Sequence, residues 1–193
     1  MLKHSVLTLA TIVTLLVSTG RASARPAPLF TPHLNLIRTH LPSGWSMRLP
    51  EQILLGGPAD QEFINSLIVK VLPSNAPPRL TVSLMSCESG PHPCLIGSFS
   101  VESQTSDNAR RELARHQAAA APIKLGRGGR GYLLEGQKQN PSYPFSSVMW
   151  QQDGMIYTVT FLSSERQNIL YMAYSMANGF PIRIPKPGPE PTR

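Results

Sequence analysis

Two stretches of this chain alternate apolar and polar side chains on either side of a short loop. Leu80–Ser86 (LTVSLMS) and Leu95–Val101 (LIGSFSV) flank a segment running from Cys87 to Cys94 that contains Gly90, Pro91 and Pro93. If Cys87 faces Cys94, then Leu84 faces Gly97, Val82 faces Phe99 and Leu80 faces Val101 on one side. On the other side Ser83 pairs with Ser98 and Thr81 with Ser100. The cysteines and the period-two pattern demand the same register, so the pattern predicts a hairpin closed by a Cys87–Cys94 disulfide. A second alternation, Ser147–Gln152 and Met155–Phe161, surrounds Asp153-Gly154. Asp-Gly between alternating runs is a strong hairpin signal, and it pairs Trp150 with Tyr157 and Val148 with Val159.

Helical spacing appears twice. Ser106-Asp107-Asn108 offers an N-cap for a helix over 109–121, with Ala109, Leu113, His116 and Ala120 on one face and Arg110, Arg111 and Arg115 elsewhere. Pro122 ends it. Ser164 with Gln167 reads as a capping box, with Glu165 complementing the helix dipole, for a helix running to Asn178. Gly179 is then its C′ glycine. Ile169, Met172, Ala173 and Met176 form the stripe to be buried, and Tyr171 and Tyr174 read mostly as core filling.

The remaining segments are shorter. Trp45–Leu49 reads as a first strand, and Phe63–Leu72 tilts to strand on the β-branched content of Ile68–Val71, with turn residues from Pro73 to Pro78. Ile123–Leu125 and Tyr132–Glu135 read as strands around a Gly-rich turn, and the Pro-rich start at Arg25 leads to a short helical or extended piece at Leu34–Thr39. From Pro181 the chain is polyproline-like and is assigned no structure. The order lacks regular βα alternation and predicts an α+β domain: a mainly antiparallel sheet of about six to seven strands with two main helices packed on it.

The first 24 residues change how the rest is read. Lys3, an apolar run from Val6 to Val17 and Ala22-Ser23-Ala24 form a signal-peptide pattern, with cleavage expected near Ala24. The run is too short for a hydrocarbon core of about 30 Å, which needs roughly 20 apolar residues, and no later run is longer. The organisation expected is a signal peptide (1–24), a Pro-rich N-terminal segment (25–41), one α+β domain (42–180) and a disordered Pro-rich tail (181–193). Export to the periplasm, thylakoid lumen or outside makes a disulfide the ordinary state of two cysteines. The net charge of the 193 residues is +7; without the segment carrying Lys3 and Arg21 it is +5, enough to favour anionic surfaces without demanding nucleic acid.

Pro42-Ser43-Gly44-Trp45, Gly131-Tyr132-Leu133-Leu134, Trp150…Gly154…Tyr157-Thr-Val-Thr160 and Ala173-Tyr174-Ser175-Met176 follow one another in an order that resembles the Mog1/PsbP-like α/β/α sandwiches. Cys94–Val101 and Glu165–Met176 also resemble a group of uncharacterised exported cyanobacterial proteins. The first resemblance implies the sandwich fold and a role among accessory and other non-enzymatic binding proteins, some of them lumenal partners of photosystem II. The disulfide hairpin is not part of that superfamily's general pattern.

Chemical motifs are few. Gly126-Arg-Gly-Gly-Arg-Gly131 satisfies G-x-G-x-x-G, but a dinucleotide site needs a helix immediately afterwards, whereas Tyr132–Leu134 reads as strand; a tight turn exposing two arginines is expected. Cys87, His92 and Cys94 crowd three metal-type ligands into one loop, a poor tetrahedral set beside a disulfide. Glu112 and His116 stand four apart on a helix, an acid/base spacing with no nucleophile motif beside it, and the pair is expected to be a surface salt bridge. No G-x-S-x-G, S-x-x-K or H-E-x-x-H occurs, so no catalytic residue, metal ligand or cofactor is assigned. Arg110, Arg111, Arg115, Lys124, Arg127, Arg130 and Lys138 are opposed within their stretch only by Glu112 and Glu135. The expectation is an exported, non-enzymatic binding protein that meets an acidic partner or anionic surface through Arg110, Arg111, Arg115, Arg127 and Arg130. The alternatives are a small periplasmic hydrolase or carbohydrate-active enzyme, marked by a deep pocket with converging His, Asp or Ser, and a lipid or small-ligand carrier, marked by an apolar cavity.

Overall fold

The computed structural model describes residues 25–57, 60–89, 94–126 and 129–184. The expected signal peptide, His92, Arg127 and tail residues 185–193 lie outside them. In chain order the elements are α1 (Leu34–His40), β1 (Ser46–Met47), α2 (Gln61–Ser66), β2 (Ile68–Asn75), β3 (Pro78–Met85), β4 (Leu95–Ser103), α3 (Asp107–Ala119), β5 (Ile123–Lys124), β6 (Arg130–Leu134), β7 (Phe145–Gln152), β8 (Met155–Leu162), α4 (Arg166–Asn178) and β9 (Ile182–Arg183). Seven strands form one antiparallel sheet in the order β2-β3-β4-β8-β7-β6-β5, and β1 pairs separately with β9. The chain is an α+β protein.

Both hairpins take the registers their alternation demands. Leu80 faces Val101, Val82 faces Phe99 and Leu84 faces Gly97, with Thr81 opposite Ser100 and Ser83 opposite Ser98. A bulge after Leu84 shifts the last pair to Met85–Leu95, and the Cys87–Cys94 disulfide closes the hairpin with Cα atoms 5.4 Å apart. In the second hairpin Trp150 faces Tyr157, their rings stacked at 5.3 Å, and Val148 faces Val159. Asp153 and Gly154 both take positive φ, 51° and 77°, as the tight turn between twisted strands requires.

The two faces of the sheet are chemically distinct. One carries Leu80, Val82, Leu84, Phe99, Val101, Tyr157, Val159, Phe161, Val148 and Trp150, all buried. It is covered by α4 through Ile169, Met172, Ala173 and Met176 and by the N-terminal residues Phe30 and Ile37. The other face meets α3, where Ala109 and Leu113 pack on Met149, Ile156 and Tyr132. Helices therefore lie on both sides of the sheet.

Several local expectations are corrected. Phe63 is not strand: the Asp60 carboxylate accepts the Phe63 N–H at 2.8 Å and starts α2, so a good N-cap outweighs the β-branched run that begins only at Ile68. The stretch after it is strand through Asn75 rather than turn from Pro73, because β2 is an edge strand, where a missing N–H is tolerated. Helix α3 is capped by Ser106, whose Oγ accepts the Ala109 N–H, and it ends at Ala119, short of Pro122, which disfavours helix in the residue before it. The Ser164 capping box does not form: residues 163–165 make a 3-10 turn, and Glu165 instead accepts from the Gly56 N–H and the Asn168 amide. Gly179 is extended rather than left-handed. Tyr171 and Tyr174 are more than half exposed and do not fill the core.

The ends of the domain also differ from expectation. Residues 25–41 are not a separate surface segment, since Ala27, Phe30, Ile37 and Leu41 are buried in the main core. The Pro-rich C-terminal stretch begins with structure, because Ile182 and Arg183 pair with Met47 and Ser46, which places the expected first strand outside the main sheet. Among the described residues no helix is long and apolar enough to cross a membrane.

Candidate functional site

Helix α3 crosses β6, β7 and β8 and leaves the neighbouring polar surface of β3 and β4 as the floor of a cleft. The floor is built by register. Thr81, Ser100 and Thr158 stand opposite one another across β3, β4 and β8; one row further, Ser98, Thr160 and Ser147 do the same across β4, β8 and β7. Because side chains alternate, these hydroxyls share the face opposite the Leu/Val/Phe core. The cavity is about 440 Å³, within the usual size of small-ligand sites.

The walls come from three places. Asn108, Glu112, Arg115 and His116 project from α3, and Gln139, Tyr143 and Phe145 come from the segment entering β7. The Tyr143 and Phe145 rings lie 5.7 Å apart at 44°, and Tyr143 is about half exposed. Arg79 and Glu102 close the end nearest the start of α3. Glu102 is buried and fully engaged: Arg79 donates to one carboxylate oxygen (Nε at 2.8 Å, Nη2 at 2.6 Å), while Ser106 donates to the other at 3.0 Å. The hydroxyl of Ser106 thus binds Glu102 while its oxygen caps α3, which fixes the helix N-terminus against the sheet. Arg115 in turn lies 3.3 Å from Glu112. The four formal charges of the cleft are two pairs, and the cleft as a whole is neutral.

His116 is the one buried imidazole of α3. Its Nδ1 lies 2.8 Å from the Glu112 carbonyl oxygen and its Nε2 2.8 Å from Ser147 Oγ. A carbonyl only accepts, so Nδ1 carries the proton and Nε2 receives the Ser147 hydroxyl. Burial lowers the His116 pKa below its ordinary value of 6.5; the Glu112 carbonyl and carboxylate pull it up less strongly, and Arg115 adds to the lowering. The ring is held neutral at pH 7. The surface salt bridge expected of Glu112 and His116 does not form: the ring is buried and bonds the Glu112 backbone carbonyl, while the Glu112 carboxylate pairs with Arg115. The ring's companion is Ser147, an ordinary polar strand position by local pattern, 31 residues away in sequence.

Three of the arginines expected to form one basic surface line different depressions. Arg115 lines the cleft. Arg111 borders a depression with Trp45, Pro77 and Pro78, and Arg130 one with Pro122, Ile123 and Lys124. Arg110 is exposed and ion-paired with Asp107, while Arg127 lies outside the described residues. At the Gly126–Gly131 motif Gly126 has φ +80°, the Leu125 N–H donates to the Gly129 carbonyl, and strand β6 begins at Arg130, where a dinucleotide site would need a helix. Among the described residues no three His, Cys, Asp or Glu side chains gather as a metal site.

No family model, no curated protein and no solved structure matches this chain. Fold and site together define it as an α+β protein with a seven-stranded antiparallel sheet, helices on both faces and a neutral, hydroxyl-floored cleft beside α3.

Proposed function

We propose that this is an exported binding protein that takes a neutral, hydroxyl-rich ligand of saccharide type in the cleft beside α3. The observation that carries the reading is the chemistry of the cleft. A floor of Ser and Thr hydroxyls, amides from Asn108 and Gln139, two internally balanced ion pairs and the Tyr143–Phe145 aromatic pair supply what a sugar uses: matched donors and acceptors, and a ring on which its C–H face rests. A site of this kind discriminates through hydroxyl contacts, because analogues lacking them leave buried polar groups unpaired. The signal-peptide pattern and the disulfide support export. The resemblance to Mog1/PsbP-like accessory proteins supports a binding role.

The test is titration of the chain from Arg25 with maltohexaose, cellohexaose, laminarihexaose and chitohexaose, followed by amide chemical shifts. One of these is expected to perturb residues around Thr81, Ser98, Thr158 and Tyr143, with little dependence on salt, and Tyr143→Ala is expected to abolish the response. If none of the four perturbs the cleft, the reading fails. Salt-sensitive retention on anionic vesicles, lost on charge reversal of Arg111 and Arg130, would move the binding surface to the arginines instead. That second reading has its own support, since Arg111 and Arg130 make no ion pair among the described residues.

A further inference from the structure

One pair of groups in the cleft is more than a ligand contact requires. Ser147 Oγ and His116 Nε2 are 2.8 Å apart, and His116 Nδ1 is fixed by the Glu112 carbonyl oxygen, also at 2.8 Å. The hydroxyl therefore donates to the unprotonated nitrogen of a ring whose other nitrogen is tethered. This is the geometry of an activated nucleophile: hydroxyl, base, and a third group that sets the tautomer of the base. Here a backbone carbonyl takes the place that a carboxylate occupies in other triads. Both side chains line the open cleft, so a ligand lying on the hydroxyl floor has Ser147 beneath it.

We propose that Ser147 and His116 form a nucleophile–base pair that hydrolyses a carboxylic ester carried by a hydroxyl-rich ligand in the cleft. The proposal rests on the cleft being a binding site. Ser147 Oγ adds to the acyl carbon as its proton passes to His116 Nε2. The bond from that carbon to the alcohol oxygen breaks, and the departing oxygen takes the proton from Nε2. Water then adds to the acyl group on Ser147, giving a proton to Nε2. Ser147 leaves with that proton, releasing the carboxylic acid. Atoms and charges balance without any cofactor.

Charge that builds on the acyl oxygen meets side chains, because β7 is paired on both edges and its backbone N–H groups serve the ladders. Thr160 stands directly across from Ser147 on β8, and Arg115 lies on the cleft wall. Hydroxyl and exposed guanidinium donors stabilise an oxyanion less than a pair of buried backbone N–H groups does. That limits the chemistry to esters, whose alcohols leave more readily than amines. The charged groups around the pair are Glu112 and Arg115 on α3, with Arg79 and Glu102 at the end of the cleft.

The test is covalent labelling of the chain from Arg25 with a fluorophosphonate probe, read by intact mass and peptide mapping, with p-nitrophenyl acetate hydrolysis as a second readout. One adduct is expected, on Ser147. Ser147→Ala removes it, and His116→Gln slows its formation by about 100-fold or more, the usual contribution of a general base. Because His116 is buried, His116→Gln is first checked for a native melt. Ser147→Cys provides an independent readout: its thiol is expected to react with iodoacetamide faster when His116 is present than in the double variant. A folded chain whose Ser147 stays unmodified overturns the inference, as does labelling indifferent to His116. Saccharide binding without labelling leaves the binding reading standing and removes this one; labelling without saccharide binding keeps the nucleophile–base pair but overturns the hydroxyl-rich ligand, and with it both the binding reading and the ester substrate proposed here.

Discussion

Arg48 Nη2 stands 2.6 Å from Asp153 Oδ2, linking the end of β1 to the turn between β7 and β8 across 105 positions of sequence. The same guanidinium donates through Nη1 to the carbonyls of Met176, at 3.2 Å, and Gly179, at 2.5 Å, and lies over the Tyr157 ring. A buried cation thus satisfies the C-terminal carbonyls of α4, where the helix dipole favours it. Asp153 is partly exposed and keeps access to water without its partner, whereas the bonds to the two carbonyls are buried. Arg48→Met is therefore expected to cost about 2–4 kcal/mol, seen as a lower urea midpoint with unchanged m-value. An unchanged midpoint would show that the network contributes nothing.

Gly97 lies beneath the ring of Phe161, its register partner on β8. A Cβ built there would come within 2.4 Å of several ring carbons, and the ring is itself packed against Phe99 at 5.4 Å. Gly97→Ala is expected to destabilise by about 1–3 kcal/mol through overpacking. Phe161→Leu in the same chain should recover part of that loss. A double-mutant cycle on thermal melts checks it, and additive effects would rule out the steric cause.

The Cys87–Cys94 bridge closes an eight-residue loop at the end of the β3–β4 hairpin. Reduction with dithiothreitol is expected to lower stability by about 2–3 kcal/mol, the chain-entropy value for so short a loop. Cys87→Ser with Cys94→Ser should show the same loss and no further response to reductant. A reductant effect that persists in the double variant would have another origin.

His116 gives stability a defined pH dependence. Burial lowers its pKa in the folded chain below the ordinary 6.5, so the unfolded chain binds a proton there at a higher pH than the folded one. The stabilisation is complete above pH 6.5 and is lost as the pH falls through the lowered value. Melting temperatures of the native chain should therefore fall from pH 7 toward pH 5 more steeply than those of His116→Gln. Parallel curves for the two proteins would mean that His116 does not set this dependence.

How much of this was legible in the sequence follows from how local each determinant is. The β3–β4 hairpin could be read because its turn, its disulfide and its alternation lie within about twenty-five residues and agree. The same holds for β7–β8 with Asp153-Gly154. Ser106 could be read as a cap because Ala109 is three residues away. The polar face was visible as well, in the Ser83–Ser98 and Thr81–Ser100 pairs. The hydroxyls of Thr158 and Thr160 were not linked to it, since nothing local to β4 says that β8 will be its neighbour.

The chain by itself thus determined which residues alternate, which turns close and which face of each hairpin is buried, because these follow from neighbours within a few bonds and from the period of the backbone. Only the tertiary structure decided that β4 pairs with β8, that α3 lies across β7 so that His116 reaches Ser147, and that Arg48 finds the end of α4. It also drew Ile182 and Arg183 into a strand with β1. These are contacts between positions far apart in sequence whose side chains are ordinary in their own surroundings. A serine on a strand and a histidine on a helix carry no mark of each other until packing brings them within hydrogen-bond distance.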